Sequence, residues 1–165
     1  MIRPARPADA AAICAIYNPF IETSTISFEE AAVTSEQMTA RIAQVTATLP
    51  WLVMEHEGAV AGYAYASPWR VRRAYRSSVE TTVYVAPEHA GKGIGKALYD
   101  ALLADLRTRA VHAVIAGIAQ PNAASVGLHE RLGFRKVAHF SEVGFKLDRW
   151  VDVGYWELIL PAAPA

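Results

Sequence analysis

Ser78-Val-Glu-Thr-Thr-Val-Tyr-Val85 runs directly into Ala86-Pro-Glu-His-Ala-Gly-Lys-Gly-Ile-Gly-Lys96. The first segment is β-branched and aromatic and predicts a strand. Gly91, Gly93 and Gly95 predict a turn. Leu98, Leu102, Leu103 and Leu106 recur at helical spacing and predict a helix from Ile94 to about Arg109 with one face buried. Glycines at alternate positions let the main chain approach a ligand closely and aim several N–H groups at one point. At a helix N-terminus that point favours an anion, and a diphosphate fits it.

Two phosphate motifs fail on these residues. A dinucleotide fingerprint read from Gly93 meets Leu98 where glycine is needed, and one read from Gly91 meets Lys96. A P-loop would need glycine at 90 and a hydroxyl residue at 97, where Ala90 and Ala97 stand, so nothing is available to hold magnesium. Two readings remain: a metal-free pyrophosphate cradle of the kind coenzyme A requires, or a tight helix entry without a ligand.

With 165 residues, 53% of them hydrophobic, the chain is long enough for one core and too short for two, so a single domain spanning 1–165 is expected. The 16 basic and 16 acidic residues cancel, and the basic ones form no continuous run, which argues against a nucleic acid or an acidic membrane and for a small-molecule ligand. Cys14 stands alone, so neither an internal disulfide nor a cysteine zinc site is expected. His56, His89, His112 and His139 are scattered without ligand spacing, and no metal is assigned. No apolar stretch approaches the ~20 residues of a membrane span. The start Met-Ile-Arg-Pro-Ala-Arg lacks the apolar core of a secretory signal, which leaves a cytoplasmic location as the expectation.

Upstream, Ile2–Ala5 reads as a short strand. Asp9 reads as the N-cap of an apolar helix that Asn18-Pro19 stops, and Thr34 or Ser35 as the cap of a second helix holding Met38, Ile42 and Val45. The irregular stretch 19–32 between them can cover a pocket. Trp51–Glu55 and Val60–Ala66 form a hairpin across Glu57-Gly58, and Val79–Val85 continues the antiparallel set. Downstream, Val111–Ile118 reads as a strand covered on both faces, and Asn122 or Ser125 opens a short helix that Gly133 ends. Phe134–Phe140 and Val153–Leu160 read as the last strands, with a frayed tail from Pro161. The order argues for a mixed sheet with helices on both faces. Glu80 shares a strand side with Thr82 and Tyr84, away from Val83 and Val85, so it can face a cleft; an exposed strand carboxylate is the alternative.

The order Val-Tyr-Val, then Gly91-Lys-Gly-Ile-Gly-Lys96, then Asn122-Ala-Ala-Ser-Val-Gly-Leu-His-Glu-Arg-Leu-Gly-Phe134 resembles the GNAT superfamily of acetyl-CoA-dependent N-acetyltransferases. Ile21-Glu-Thr-Ser-Thr-Ile-Ser-Phe28, Pro68-Trp-Arg-Val-Arg-Arg-Ala-Tyr75, the Ser78–Val85 block and Trp150-Val-Asp-Val-Gly-Tyr-Trp156 are similar to the phosphinothricin and methionine sulfoximine N-acetyltransferase branch. The resemblance covers nearly the whole chain. It implies an α/β (α+β mixed) fold, with a mostly antiparallel mixed central sheet of about six to seven strands. Two central strands splay apart to admit the pantetheine arm of acetyl-CoA, the co-substrate.

The resemblance further implies direct transfer of acetyl to the α-amine of a small amino acid analogue in a ternary complex. An amine is mostly protonated at neutral pH, so a base is needed, and the role falls to Glu80. A main-chain N–H of the Val83-Tyr84-Val85 segment is placed at the developing oxyanion. Gly91, Lys92, Gly93, Ile94, Gly95, Lys96, Asn122 and Ser125 are assigned to the coenzyme. His129 stands where the superfamily often has a tyrosine that protonates the departing thiolate; it can equally be a packing residue on the short helix or a coenzyme contact, and Tyr75 is a rival for the acid role. Arginine forks match a carboxylate or phosphinate, so Arg70 and Arg72 with Tyr75, Thr25 and Phe28 are assigned to the substrate, against the alternative of a solvated basic loop. Two positions depart from the pattern: Ala90 replaces a Gln or Arg beside the phosphates, and Val151 replaces a histidine of some phosphinothricin enzymes, which favours methionine sulfoximine or a related amino acid. The branch implies a homodimer. Another small amine or antibiotic as acceptor, or a coenzyme-binding sensor without turnover, are the competing readings.

Overall fold

The computed structural model describes residues 1–161; the expected frayed tail lies, past Pro161, outside the described residues. In chain order the elements are β1 (Ile2–Pro4), α1 (Ala10–Thr23), α2 (Ser35–Thr46), β2 (Trp51–His56), β3 (Ala59–Pro68), β4 (Ser78–Val85), α3 (Ile94–Thr108), β5 (Ala113–Ala119), α4 (Ala123–Arg131), β6 (Arg135–Lys146) and β7 (Arg149–Ile159). The strands form one seven-stranded sheet in the order β1-β2-β3-β4-β5-β7-β6. Every neighbouring pair is antiparallel except β4 and β5. Among the described residues no helix is long and apolar enough to cross a membrane.

Strand alternation divides the core in two. Leu52, Val79 and Val114 face α3, which buries Leu98, Tyr99, Leu102 and Leu106. Trp51, Val53 and Tyr63 face the other way, against Ile13, Tyr17 and Ile21 of α1 and Met38 and Ile42 of α2. Helices therefore cover both faces, as the alternation of strands and helices required.

The parallel pair decides the function of the fold. β4 and β5 are in register only from Ser78 with Ala113 to Glu80 with Ile115, whereas β3 follows β4 to its end, pairing Gly62 with Val85. Beyond Glu80 the sheet is split. Ala86 N–H donates to Ala61. By alternation Tyr84 also turns its main chain to β3, while the main-chain groups of Val83 and Val85 face the gap.

Local chemistry explains the boundaries. Glu57 and Gly58 both have positive φ, 51° and 82°, as a two-residue hairpin turn requires. Thr34 caps α2: its hydroxyl accepts from Gln37 N–H at 3.2 Å, and the Gln37 side chain accepts from Thr34 N–H at 2.9 Å. Two expectations are corrected. α1 does not stop at Asn18-Pro19 but runs through Pro19 to Thr23. Burial of Ile21 favours the extra turn, and the Thr23 and Ser24 hydroxyls donate to the Pro19 and Phe20 carbonyls at 2.7 Å each. Asp9 precedes α1 without capping it; its carboxylate accepts from Arg6 N–H at 2.7 Å and from both ends of the Arg3 guanidinium at 2.8 Å. β6 and β7 also run several residues past their expected ends and meet at Leu147 and Asp148, both at positive φ.

Candidate active site

Two clefts open on the gap between β4 and β5. The first, about 490 Å³, has Glu80, Thr82 and Tyr84 on its floor, with Tyr65 on one side and Tyr155 on the other. Ile26, Phe28 and Glu29 from the segment between α1 and α2 cover it. Among the described residues none hydrogen-bonds the Glu80 side chain, which is half-buried. Burial pushes its carboxyl above the ordinary carboxylate range, and the Arg70 charge draws it part of the way back. A Cβ on Gly117 of β5 would stand 3.1 Å from Glu80 Oε1 and 3.1 Å from the Tyr155 ring, so glycine there makes room for the carboxylate and the ring together.

The second cleft, about 480 Å³, is walled by Val83, Tyr84 and Val85, by the turn from His89 to Lys96 without Lys92, and by Asn122, Ser125, Leu128 and Arg131. Gly91 and Gly93 have φ of 75° and 78°, and a Cβ on either would meet nothing within 4 Å. The cradle is thus open, its shape depends on glycine, and it ends at the N-terminus of the fifteen-residue α3. Outward-facing main-chain groups on Val83 and Val85 can pair with amides of an extended ligand, as a further strand would. Together these features fit a pantetheine arm with its diphosphate. Tyr84 and Ile26 line both clefts, which therefore meet at Tyr84, further along β4 from Glu80.

The loop over the first cleft is fastened by β6 and β7. Lys146, buried, donates to the Ser27 carbonyl at 2.6 Å, and Arg149 donates to the Thr25 hydroxyl at 3.0 Å. The Phe28 ring lies on Gly144, where a Cβ would come within 2.4 Å of it. From the helix side, Tyr17 donates to Glu29 at 2.9 Å and Arg41 holds Glu29 at 2.6 and 2.9 Å.

Among the residues singled out in the sequence, Glu80, Phe28, Val83, Tyr84, Val85, Gly91, Gly93, Ile94, Gly95, Lys96, Asn122 and Ser125 line one cleft or the other. Others stand elsewhere. Lys92 is off the cavity wall, and Lys96 pairs with Asp100 at 2.7 Å; Arg131 is a wall cation the sequence reading passed over. Asn122 caps α4 through its contact with Ser125 N–H at 3.1 Å. Thr25 is buried, anchors the loop through Arg149 and lines neither cleft. Arg70 stacks on Trp69 at 4.6 Å, and Trp69 in turn lies 5.6 Å from Tyr155 at the edge of the Glu80 cleft. Arg72 is exposed and lines neither cleft.

The two candidates for thiolate protonation require correction. His129 is 3% exposed and faces α3. Its Nδ1–H donates to the Ser125 carbonyl at 2.7 Å, which leaves Nε2 to accept from the Tyr99 hydroxyl at 2.7 Å. Burial lowers its pKa, and it lines neither cleft. It is a satisfied core histidine. Tyr75 lies in a separate groove with Pro68, Arg70, Arg76 and Arg109, and neither it nor Arg70 lines either cleft.

A family model described as Acetyltransferase (GNAT) domain matches residues 2–154. The chain belongs to the GNAT acetyltransferases. A phosphinothricin N-acetyltransferase of Streptomyces viridochromogenes is 44% identical over 99% of this chain and 90% of its own. An L-methionine sulfoximine/L-methionine sulfone acetyltransferase of Salmonella typhimurium is 40% identical over 99% of this chain and 97% of its own. The crystal structure of a GNAT superfamily phosphinothricin acetyltransferase from Sinorhizobium meliloti in complex with AcCoA superimposes with a TM-score of 0.93 at 36% identity, covering 97% of this chain and 88% of that one. The GNAT fold expected from the sequence, a mostly antiparallel mixed sheet, is the one observed.

Proposed function

We propose that the protein is an acetyl-CoA-dependent N-acetyltransferase that passes the acetyl group, in a ternary complex, to the α-amine of a small amino acid analogue such as methionine sulfoximine, methionine sulfone or phosphinothricin. The relatives' activities support the substrate class. One observation carries the chemistry: a half-buried Glu80 lines the amine cleft, on the same strand and face as Tyr84, which that cleft shares with the glycine-cradled one.

In this reading acetyl-CoA enters the gap with its diphosphate on the N–H groups between Gly91 and Gly95 and its amides on Val83 and Val85. The amine arrives from the other cleft as an ammonium, and Glu80 accepts its proton. A carboxyl raised by burial is a better-matched base than an ordinary one. The neutral nitrogen attacks the thioester carbonyl, an N–H of Val83 or Val85 meets the charge developing on oxygen, and collapse breaks the C–S bond, so that coenzyme A leaves as a thiolate and is neutralised by the proton the nitrogen sheds on becoming an amide. Arg70, which lines the neighbouring groove with Tyr75 and whose charge reaches Glu80, is the anchor for the substrate carboxylate in this reading.

A homodimer is part of the proposal. Val137, Phe140, Val143, Phe145, Leu147 and Trp150 are exposed on β6, β7 and their turn, and β6 is a sheet edge. An apolar patch on an edge strand is a surface that soluble proteins normally cover. A cytoplasmic location accords with the free thiol of Cys14.

The test is a thiol-release assay with acetyl-CoA against methionine sulfoximine, methionine sulfone, phosphinothricin and polyamines. Turnover with the amino acid analogues is expected. Turnover confined to polyamines contradicts the substrate class, and binding of acetyl-CoA without any turnover contradicts the enzyme.

A further inference from the structure

Glu80, Thr82 and Tyr84 alternate along one side of β4, and all three line the amine cleft. The coenzyme cleft reaches only the far end of this row. Its β4 wall is Val83, Tyr84 and Val85, and neither Glu80 nor Thr82 lines it. At ~3.3 Å of strand per residue, Thr82 stands about 7 Å and Tyr84 about 13 Å from Glu80. A base takes a proton directly over roughly 3 Å, or through one bridging group. A nitrogen that attacks an acyl group beside Val83 is level with Thr82, so one hydroxyl stands between it and the base.

Two adjacent threonines carry the same hydroxyl and use it differently. Thr81 is buried on the α3 side, where its Oγ1 accepts from the Tyr99 hydroxyl at 3.1 Å. Its hydroxyl is spent in the core. Thr82 is half-buried on the cleft side. Tyr65, its register partner on β3, lines the same cleft and sets a hydroxyl within hydrogen-bonding reach of Thr82. The Glu80 charge is felt at that tyrosine as well. Two hydroxyls and the carboxylate are therefore gathered on one wall, and Thr82 is the member that lies between the base and the junction of the clefts.

We propose that Thr82 is a further catalytic residue, which relays the proton from the acceptor nitrogen to Glu80. The proposal rests on the N-acetyltransferase reading above, with Glu80 as the base. As the Thr82 oxygen takes a proton from the ammonium, its own O–H bond breaks and that proton passes to a Glu80 oxygen. The ammonium becomes a neutral amine, the carboxylate becomes a carboxylic acid, and the threonine ends as the hydroxyl it was. An alcohol is too weak a base to keep the extra proton and too weak an acid to give one up alone, but it can do both at once. Tyr65 holds the Thr82 hydroxyl in line.

Valine at this position keeps the shape of threonine and removes the hydroxyl, whereas serine keeps the hydroxyl. The measurement is kcat/KM across pH, with acetyl-CoA and methionine sulfone, for wild type, Thr82→Val, Thr82→Ser, Glu80→Gln and the double variant Thr82→Val, Glu80→Gln. Thr82→Val is expected to be about 100-fold slower, the lower end of what a placed acid–base group supplies, and to follow the free amine with pH as Glu80→Gln does. Thr82→Ser should keep the wild-type profile. Residues that act as a unit are not additive, so the double variant should lie within about 2-fold of Glu80→Gln. An unchanged Kd for acetyl-CoA shows that the fold is kept; if Thr82→Val fails that check, Thr82→Ala replaces it with the same expectations. A valine variant at the wild-type rate, a serine variant as slow as the valine one, or losses that multiply in the double variant overturn the relay and leave Glu80 as the base. Glu80→Gln as fast as wild type overturns the base itself, and the relay with it.

Discussion

Glu80 has two consequences that separate its role in catalysis from its role in the fold. Its carboxyl is raised above its unfolded value by burial, so the folded state binds the proton more tightly than the unfolded chain does. The protonated form contributes stability below the unfolded pKa, and that contribution is lost as pH rises through the folded pKa. At neutral pH the charged carboxylate is a net cost to folding. Glu80→Gln is therefore expected to melt higher than wild type at pH 7, with the difference closing below about pH 4, where an ordinary glutamate is itself protonated; calorimetric scans across that range check it. A functional group retained at a cost in stability is what an active site predicts. His129 behaves oppositely. Replacing it by Ala leaves the Tyr99 hydroxyl and the Ser125 carbonyl without their 2.7 Å partners. The expected result is a loss of about 2–4 kcal/mol in denaturant unfolding, with kcat at permissive temperature within a few-fold of wild type. A 100-fold fall in kcat without loss of stability would return His129 to the chemistry.

Among the elements, the turn into α3 and the clasp over the amine cleft make separable predictions. Gly93 at φ 78° has open space where a Cβ would go. Gly93→Val therefore fails by backbone strain, about 1–2 kcal/mol, together with a weakened diphosphate cradle. Calorimetry should show a higher Kd for acetyl-CoA, with the KM for the amine little changed. Lys146→Met removes the bond to Ser27 and keeps most of the buried stem. The loop over Glu80 then loosens, raising the amine KM several-fold and leaving the Kd for acetyl-CoA unchanged. These elements were not equally legible in the sequence. The strand, turn and helix around Gly91–Gly95 could be read because periodicity and glycine placement are local signals, and the Glu80 side of the strand followed from alternation. α1 was read short because Pro19 looked like a stop. The burial of Ile21 that carries the helix past it is a tertiary effect invisible in a window of sequence. Tyr155, Gly117 and Lys146 reach the site from strands far along the chain, and no spacing rule connects them to Glu80. Alternation on β7 could have suggested Tyr155 only once the neighbouring strand was known. His129 stayed open between acid and packing residue for the same reason: its contact with Tyr99 bridges two helices, and motif position says nothing of that.

At the scale of the whole molecule, the exposed apolar surface of β6 and β7 and the clasp on the loop between α1 and α2 belong to the same pair of strands. Assembly through this face would stiffen the wall of the amine cleft as well as bury Phe145 and Trp150. The proposed assembly predicts a dimer by light scattering for wild type and a monomer for the double variant Phe145→Glu, Trp150→Glu, with a raised KM for the amine; equal masses for the two proteins contradict the assignment of the face. In the proposed mechanism the split between β4 and β5 is the decisive feature, since it lets thioester and amine approach from separate clefts that share Tyr84 and Ile26, with Glu80 in the amine cleft. The direct test is the pH dependence of kcat/KM for methionine sulfone in wild type and Glu80→Gln. Wild type should lose activity on the acid side, with a midpoint above that of an ordinary glutamate. Glu80→Gln should be slower by about 10²–10⁴-fold, the usual worth of a general base, with a rate that rises with pH only as the free amine does. Superimposable profiles for the two proteins would show that Glu80 takes no proton and would contradict the account.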